Sequence, residues 1–184
     1  VAKNHFSEWA QNWNVFPINT VVFFILTPAK LTNFMKNNTE PRPKLVNRTT
    51  VKIRFSEVDS LRIVWHGHYI KYFEDGREAF GNQYSFGYLD LYQQKLLIPI
   101  VDISCSYKKH LAYGDEIIIE TEFINAAAAK IIFEYKIFKK EDNSPVATGR
   151  STQVFLSSDG ELILTNPDFF VDWKMKHGLI EFFS

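Results

Sequence analysis

Four runs of alternating apolar and polar residues, at 97–107, 116–125, 130–139 and 145–156, limit the possible fold more than any other feature of this chain. Ile117, Ile119, Thr121 and Phe123 alternate with Glu120 and Glu122, and Ile131, Phe133, Tyr135 and Ile137 alternate with Glu134 and Lys136. A period of two gives a strand one buried face and one wet face, so the runs predict a half-covered antiparallel sheet. Tyr113-Gly114-Asp115, residues 125–129 and residues 141–144 read as turns between neighbouring strands, and residues 157–160 as a turn after the last. The expected arrangement of these four strands is a meander.

A fifth strand precedes them. Residues 50–55 alternate Val51, Ile53 and Phe55 with Lys52 and Arg54. The pattern then turns helical over 67–80. Tyr69, Tyr72, Phe73, Gly76, Ala79 and Phe80 form one stripe, with Lys71, Glu74, Asp75 and Glu78 opposite. One strand, one long helix and four further strands predict an α+β fold whose helix covers the apolar face of the sheet.

Composition removes several functions. Lys+Arg number 21 and Asp+Glu 21, so there is no net basic charge to draw in nucleic acid. A 46% hydrophobic and 16% aromatic content is that of a globular chain. The single Cys cannot form an internal disulfide, which predicts a reducing, cytoplasmic setting. The run Val21 to Leu26 is far short of the ~20 apolar residues of a membrane span, so none is expected. Asn37 and Asn47 each begin a glycosylation tripeptide, a pattern that chance supplies often.

At ~150 residues per domain, 184 residues make one domain and a remainder. Residues 1–47 differ from the rest. Phe6, Trp9, Ala10 and Trp13 have helical spacing, and residues 36–44 hold two prolines in a polar stretch that reads as a linker. The division expected is an N-terminal extension and linker at 1–47 and a domain at 48–184.

Chemistry concentrates between the first strand and the helix. Glu57 and Asp59 leave the strand two residues apart, and Ile63, Val64 and Trp65 lead into the helix. Positions 65–67 offer no Ser, Thr, Asp or Asn as a cap, which leaves the first N–H groups without an obvious side-chain acceptor. Such N–H groups suit a carbonyl oxygen that gains negative charge. A carboxylate seven residues earlier, across a turn, suits a base or nucleophile.

The same residues carry a family resemblance. Asp59, Ile63, Val64, Trp65, His66 and Tyr69, then Tyr72, Phe73, Glu74, Gly76 and Arg77, stand where the 4-hydroxybenzoyl-CoA thioesterase family has its signature. Tyr113-Gly114-Asp115, residues 133–137, Ala147-Thr148-Gly149 and residues 155–160 extend the match over about 48–170. The resemblance implies a hotdog fold, a five-stranded antiparallel sheet wrapped around a long central helix. It also implies a homodimer or homotetramer with active sites at the subunit interface, and hydrolysis of acyl-CoA, or in some members acyl-ACP, with neither metal nor cofactor. By position, Asp59 is the implied catalytic carboxylate, attacking the thioester or activating water. The N–H groups near His66 are the implied oxyanion donors, and His66 itself orients water or lines the site. Trp65, His68 and Tyr69 are candidate substrate contacts. Arg62 replaces a glycine of the family pattern, which predicts a reshaped turn and a candidate contact for pantetheine or phosphate.

Other candidates have plainer readings. Some hotdog thioesterases carry their acid on the helix, so Glu74 and Glu78 are secondary catalytic candidates, although Glu74 with Arg77 reads first as a helical ion pair. His66 and His68 lack a third ligand at metal-binding spacing. Cys105 alternates with Val101, Ile103 and Tyr107 and reads as core. Residues 108–110 read as a solvated strand end with a lesser claim on a CoA phosphate. Residues 126–129 are all alanine, leaving Lys130 as the one cation at that turn. The alternative functions are an acyl-ACP thioesterase and a non-hydrolytic acyl-binding subunit.

Overall fold

The structure is a computed structural model and describes residues 43–181. The N-terminal helical spacing, the run Val21 to Leu26 and Asn37 lie outside these residues. Within them, five strands form one antiparallel sheet: β1 (Leu45–Lys52), β2 (Ile100–Tyr107), β3 (Glu116–Phe123), β4 (Lys130–Lys139) and β5 (Pro145–Val154), in the order β1-β3-β4-β5-β2. Three helices accompany them: α1 (His68–Tyr84), α2 (Tyr88–Tyr92) and α3 (Asp168–Lys176).

β3, β4 and β5 are the meander that the alternation predicts. Ile117, Ile119, Phe123, Ile131, Phe133, Tyr135 and Ile137 are buried on one face. The opposite face carries cross-strand ion pairs, Arg48–Glu120 at 2.5 Å, Lys136–Glu120 at 3.1 Å and Arg150–Glu134 at 3.1 Å. α1 lies on the apolar face through Tyr69, Tyr72, Phe73, Gly76 and Phe80, and Phe73 stacks on Tyr135 at 4.3 Å. This is the hotdog arrangement of the expected α+β fold.

Three expectations need correction. β2 pairs with β5 and lies at the edge remote from β3, so Tyr113-Gly114-Asp115 ends a crossover instead of joining neighbours. Local alternation marks strands but carries nothing about which strand completes an edge. β1 starts at Leu45 and ends at Lys52, where the chain turns into a 3-10 segment (Phe55–Glu57) that leaves Phe55 76% exposed. α1 runs past Gly81 to Tyr84, since that glycine is a place of close approach: a Cβ there would lie 2.6 Å from the Gly87 Cα. Ser85, at φ 53°, then ends the helix in the left-handed conformation.

α3 is not anticipated by the alternation. It buries Phe170 and Trp173, and its neighbourhood clasps the β3–β4 turn by three bonds to main-chain oxygens. Lys174 Nζ donates to Ala126 O at 2.8 Å, Asn166 Nδ2 to Ala127 O at 2.9 Å, and Asn125 Nδ2 to Leu179 O at 2.8 Å. Asn47, the first residue of the second glycosylation tripeptide, is buried and donates to Gln83 Oε1 at 2.6 Å, which holds its amide against α1.

Candidate active site

The segment after the 3-10 turn is a small hairpin. Trp65 N–H donates to Glu57 O at 2.9 Å, Val58 bridges Val64, and Asp59 N–H donates to Ile63 O at 2.9 Å. Val64 is the buried anchor, and its N–H reaches Leu111 O at 2.8 Å on the β2–β3 crossover. The hairpin tip closes on Asp59. Its carbonyl accepts from Arg62 N–H at 2.9 Å, and its carboxylate Oδ1 accepts from Leu61 N–H at 2.8 Å. This local bond holds the half-buried carboxylate against its own turn.

Arg62 has φ 64°, the left-handed conformation that glycine adopts freely. The Arg that stands in place of the family pattern's glycine is carried in a glycine-like backbone conformation, and its side chain is exposed.

Trp65 continues directly into α1. Gly67 occupies the N-cap position with no side-chain cap bond, as the sequence predicts. His68 N–H turns back to Trp65 O at 2.9 Å, while Tyr107 OH from β2 donates to His66 O at 3.1 Å. The Trp65 indole lies directly over Gly67, where a Cβ would fall 1.9 Å from its ring. His66 and His68 flank the indole at ring separations of 4.8 and 5.7 Å. His66 is exposed, whereas Nδ1 of His68 is buried without a hydrogen-bond partner among the described residues. Tyr69 is buried, in edge contact with Tyr107 at 5.0 Å, and burial pushes its hydroxyl up to about 12.

Glu57 and Asp59 are put to different uses. Glu57 Oε2 accepts from Arg54 N–H at 2.7 Å and from Tyr72 OH at 3.1 Å, so it pins the 3-10 turn to α1. Burial, and next the Glu57 carboxylate, push the Tyr72 hydroxyl far above its usual range. The sequence pattern groups the two acids and gives no sign of this division, which Tyr72 decides.

The helix candidates are placed away from this cluster of bonds. Glu74 and Glu78 are exposed on the outer side of α1. Arg77 does not pair with Glu74; its guanidinium donates to Tyr135 OH at 3.1 Å, which is bonded to Ser151 Oγ at 2.7 Å. Cys105 is half-buried, but Val101, Ile103 and Tyr107 beside it are 57%, 36% and 50% exposed, so this strand is not packed as core. Among the described residues no three His, Cys, Asp or Glu side chains converge to hold a metal.

A five-stranded antiparallel sheet wrapped around one long helix is the hotdog architecture. The chain belongs to the Thioesterase-like superfamily, whose family model matches residues 53–173. A Bacillus subtilis protein named provisionally as the acyl-CoA thioesterase YneP is 33% identical over 93 residues, 50% of this chain and 67% of its own. A chloroplastic acyl-acyl carrier protein thioesterase of Arabidopsis thaliana is 22% identical over 59% of this chain and 57% of its own. Among solved structures, the DHNA-CoA thioesterase of Staphylococcus aureus superposes with a TM-score of 0.64 at 24% identity, covering 71% of this chain and 87% of that one.

Proposed function

We propose that the chain hydrolyses an acyl-CoA thioester to the free acid and CoA, with Asp59 as base or nucleophile and N–H groups at the start of α1 as oxyanion donors. The observation that carries this reading is the hairpin, which connects the Asp59 carboxylate to the uncapped helix start through one hydrogen-bonded unit. The pairing sets Asp59 opposite Ile63 and Glu57 opposite Trp65, with His66 one step beyond. Three residues along a strand ribbon span ~10 Å. A thioester carbonyl fits such a gap, with its carbon ~3 Å from the attacking oxygen and its oxygen ~3 Å from an N–H donor. His66 and Trp65, both exposed beside the helix start, are the groups available to orient water and line the entrance.

The partner subunit belongs to this proposal. β2 is an edge strand whose outward groups have no partner among the described residues, and it exposes Val101, Ile103 and Tyr107. An apolar edge of this kind is a template for pairing with a second copy. Because Tyr107 bonds the His66 carbonyl, pairing at β2 would place the second copy beside the helix start. A panel of acyl-CoA substrates spanning short, long and aromatic acids tests the activity by thiol release. Turnover of at least one class is expected, and binding without turnover across the panel would leave a non-hydrolytic acyl-binding subunit. The same acyl group carried on ACP shows which carrier is preferred.

A further inference from the structure

α1 covers only part of the sheet. It lies over β1, β3 and β4, and its residues sort to two sides. Tyr72 and Asp75 look towards β1: Tyr72 bonds Glu57, and Asp75 lines a groove with Lys52 and Arg54. Phe73 and Arg77 look the other way. Phe73 stacks on Tyr135 of β4, a Cβ on Gly149 of β5 would fall 2.3 Å from its ring, and Arg77 reaches Tyr135. By helical spacing Ile70 belongs to this second side. Beyond it β2 lies uncovered. Ile103, Cys105 and Tyr107 stand opposite Ser151, Gly149 and Ala147, so they share the face that looks at the helix. Ser151 and Ala147 are buried, yet Ile103 and Tyr107 are 36% and 50% exposed. Ile70 and Arg77 thus wall a trough whose floor is Ile103, Cys105 and Tyr107.

The trough begins at the candidate active site, where Tyr107 bonds the His66 carbonyl and touches Tyr69. Arg77 stands at its other end. Arg77 is half-buried, and among the described residues it forms no ion pair, although Glu74 is one turn away on α1. Its Nη1 donates to Tyr135 OH at 3.1 Å, which leaves the Tyr135 proton for Ser151 Oγ at 2.7 Å. Tyr135 and Ser151 are 1% and 0% exposed, so this relay holds the guanidinium in one place. A guanidinium carries several N–H donors, and the relay engages one. A cation partly withdrawn from water, with donors to spare and no carboxylate, is costly until an anion meets it.

We infer that Arg77 selects an acyl group that carries a second carboxylate at its far end, an inference that rests on the acyl-CoA reading above. Two measures give the length of that group. Tyr69 to Arg77 is eight residues of helix, ~12 Å, and Tyr107 to Ile103 is four residues of strand, ~13 Å. An extended chain covers three bonds in ~3.5 Å, so this distance is about ten bonds. The middle of the chain lies against Ile70, Ile103 and Cys105, and its planar carboxylate takes two parallel bonds from the guanidinium. A methyl-ended chain of the same length strips water from Arg77 and returns nothing. The edge pairing proposed above uses the main-chain groups of β2 and leaves these side chains to the trough.

The CoA monothioester of decanedioic acid and decanoyl-CoA form the test pair, equal in chain length and different at the far end. The full chain should favour the first by ~10-fold or more in kcat/KM, the scale of one charge-assisted bond. That ratio should fall ~10-fold in Arg77→Met, and by less in Arg77→Lys, which keeps the charge but not the fork. Taking the ratio within each variant cancels any loss of folded protein. A wild type that hydrolyses decanoyl-CoA at least as well, or an Arg77→Met chain that keeps the ratio, would overturn the inference. Calorimetric titration with decanedioic acid separates it from the function it rests on. Hydrolysis of both thioesters without preference upholds the thioesterase and contradicts the role of Arg77. Binding of the diacid that weakens ~10-fold in Arg77→Met, with neither thioester hydrolysed, upholds that role and contradicts the thioesterase.

Discussion

Arg62 and Glu57 show how single residues set this site. A non-glycine residue in the left-handed region costs about 1–2 kcal/mol, and Arg62 carries that cost at φ 64°. Arg62→Gly should therefore raise the free energy of unfolding by about 1 kcal/mol in urea titration, partly offset by the greater freedom of glycine in the unfolded chain. A loss of stability would mean that the exposed Arg side chain makes contacts that outweigh the strain. Glu57 is the residue that sequence pattern could not read. In the sequence it is only the first of two acids leaving a strand, and the bond from Tyr72, fifteen positions on, makes it a brace. The position of Asp59 at a turn before the helix was legible because its surroundings are local: the spacing to the helix start lies within one short stretch of chain. The same holds for the missing helix cap, which follows from the identities of residues 65–67 alone.

At the scale of elements, period-two alternation located β2 to β5 to within a few residues; β3 to β5 each bury residues of one face on the core, whereas β2 alternates in sequence but is exposed along nearly its whole length. The alternation failed at Phe55, where the hydrophobic residue continues the pattern but the backbone has already left the sheet. Of the strand order only the β3–β4–β5 meander was legible, since the β2–β5 pairing joins residues 40 to 53 apart and no local rule selects it. α3 had weak signals, a Pro before its first residue and Lys174 and Lys176 in its last turn. Its Lys174 is 2% exposed and donates to Ala126 O, and among the described residues it forms no ion pair. Burial lowers its pKa from the ordinary 10.5. The folded state thus holds fewer protons than the unfolded state between the lowered value and 10.5, and stability should rise with pH across that window. Unfolding free energies measured from pH 7 to 10.5 should show this upward contribution in the wild type and lack it in Lys174→Met. Identical pH profiles would show that Lys174 titrates as it does in the unfolded chain.

For the whole molecule, the described domain packs α1 on one face of the sheet and leaves the β2 edge without a partner strand among the described residues. A chain whose site depends on a second copy should be dimeric in sedimentation. Ile103→Lys, which puts a charge on that edge, should shift it to monomer and reduce hydrolysis in parallel. A monomeric wild type with full activity would remove the partner from the site. The central claim, however, is that the hairpin carboxylate performs the chemistry on a thioester polarised by the helix start. Asp59→Asn tests it most directly, because Asn keeps an oxygen for the Leu61 N–H and so preserves the turn. With sedimentation and circular dichroism unchanged, kcat for thiol release from the best acyl-CoA substrate should fall ~10²–10⁴-fold. Hydrolysis at the wild-type rate in that variant would contradict the account.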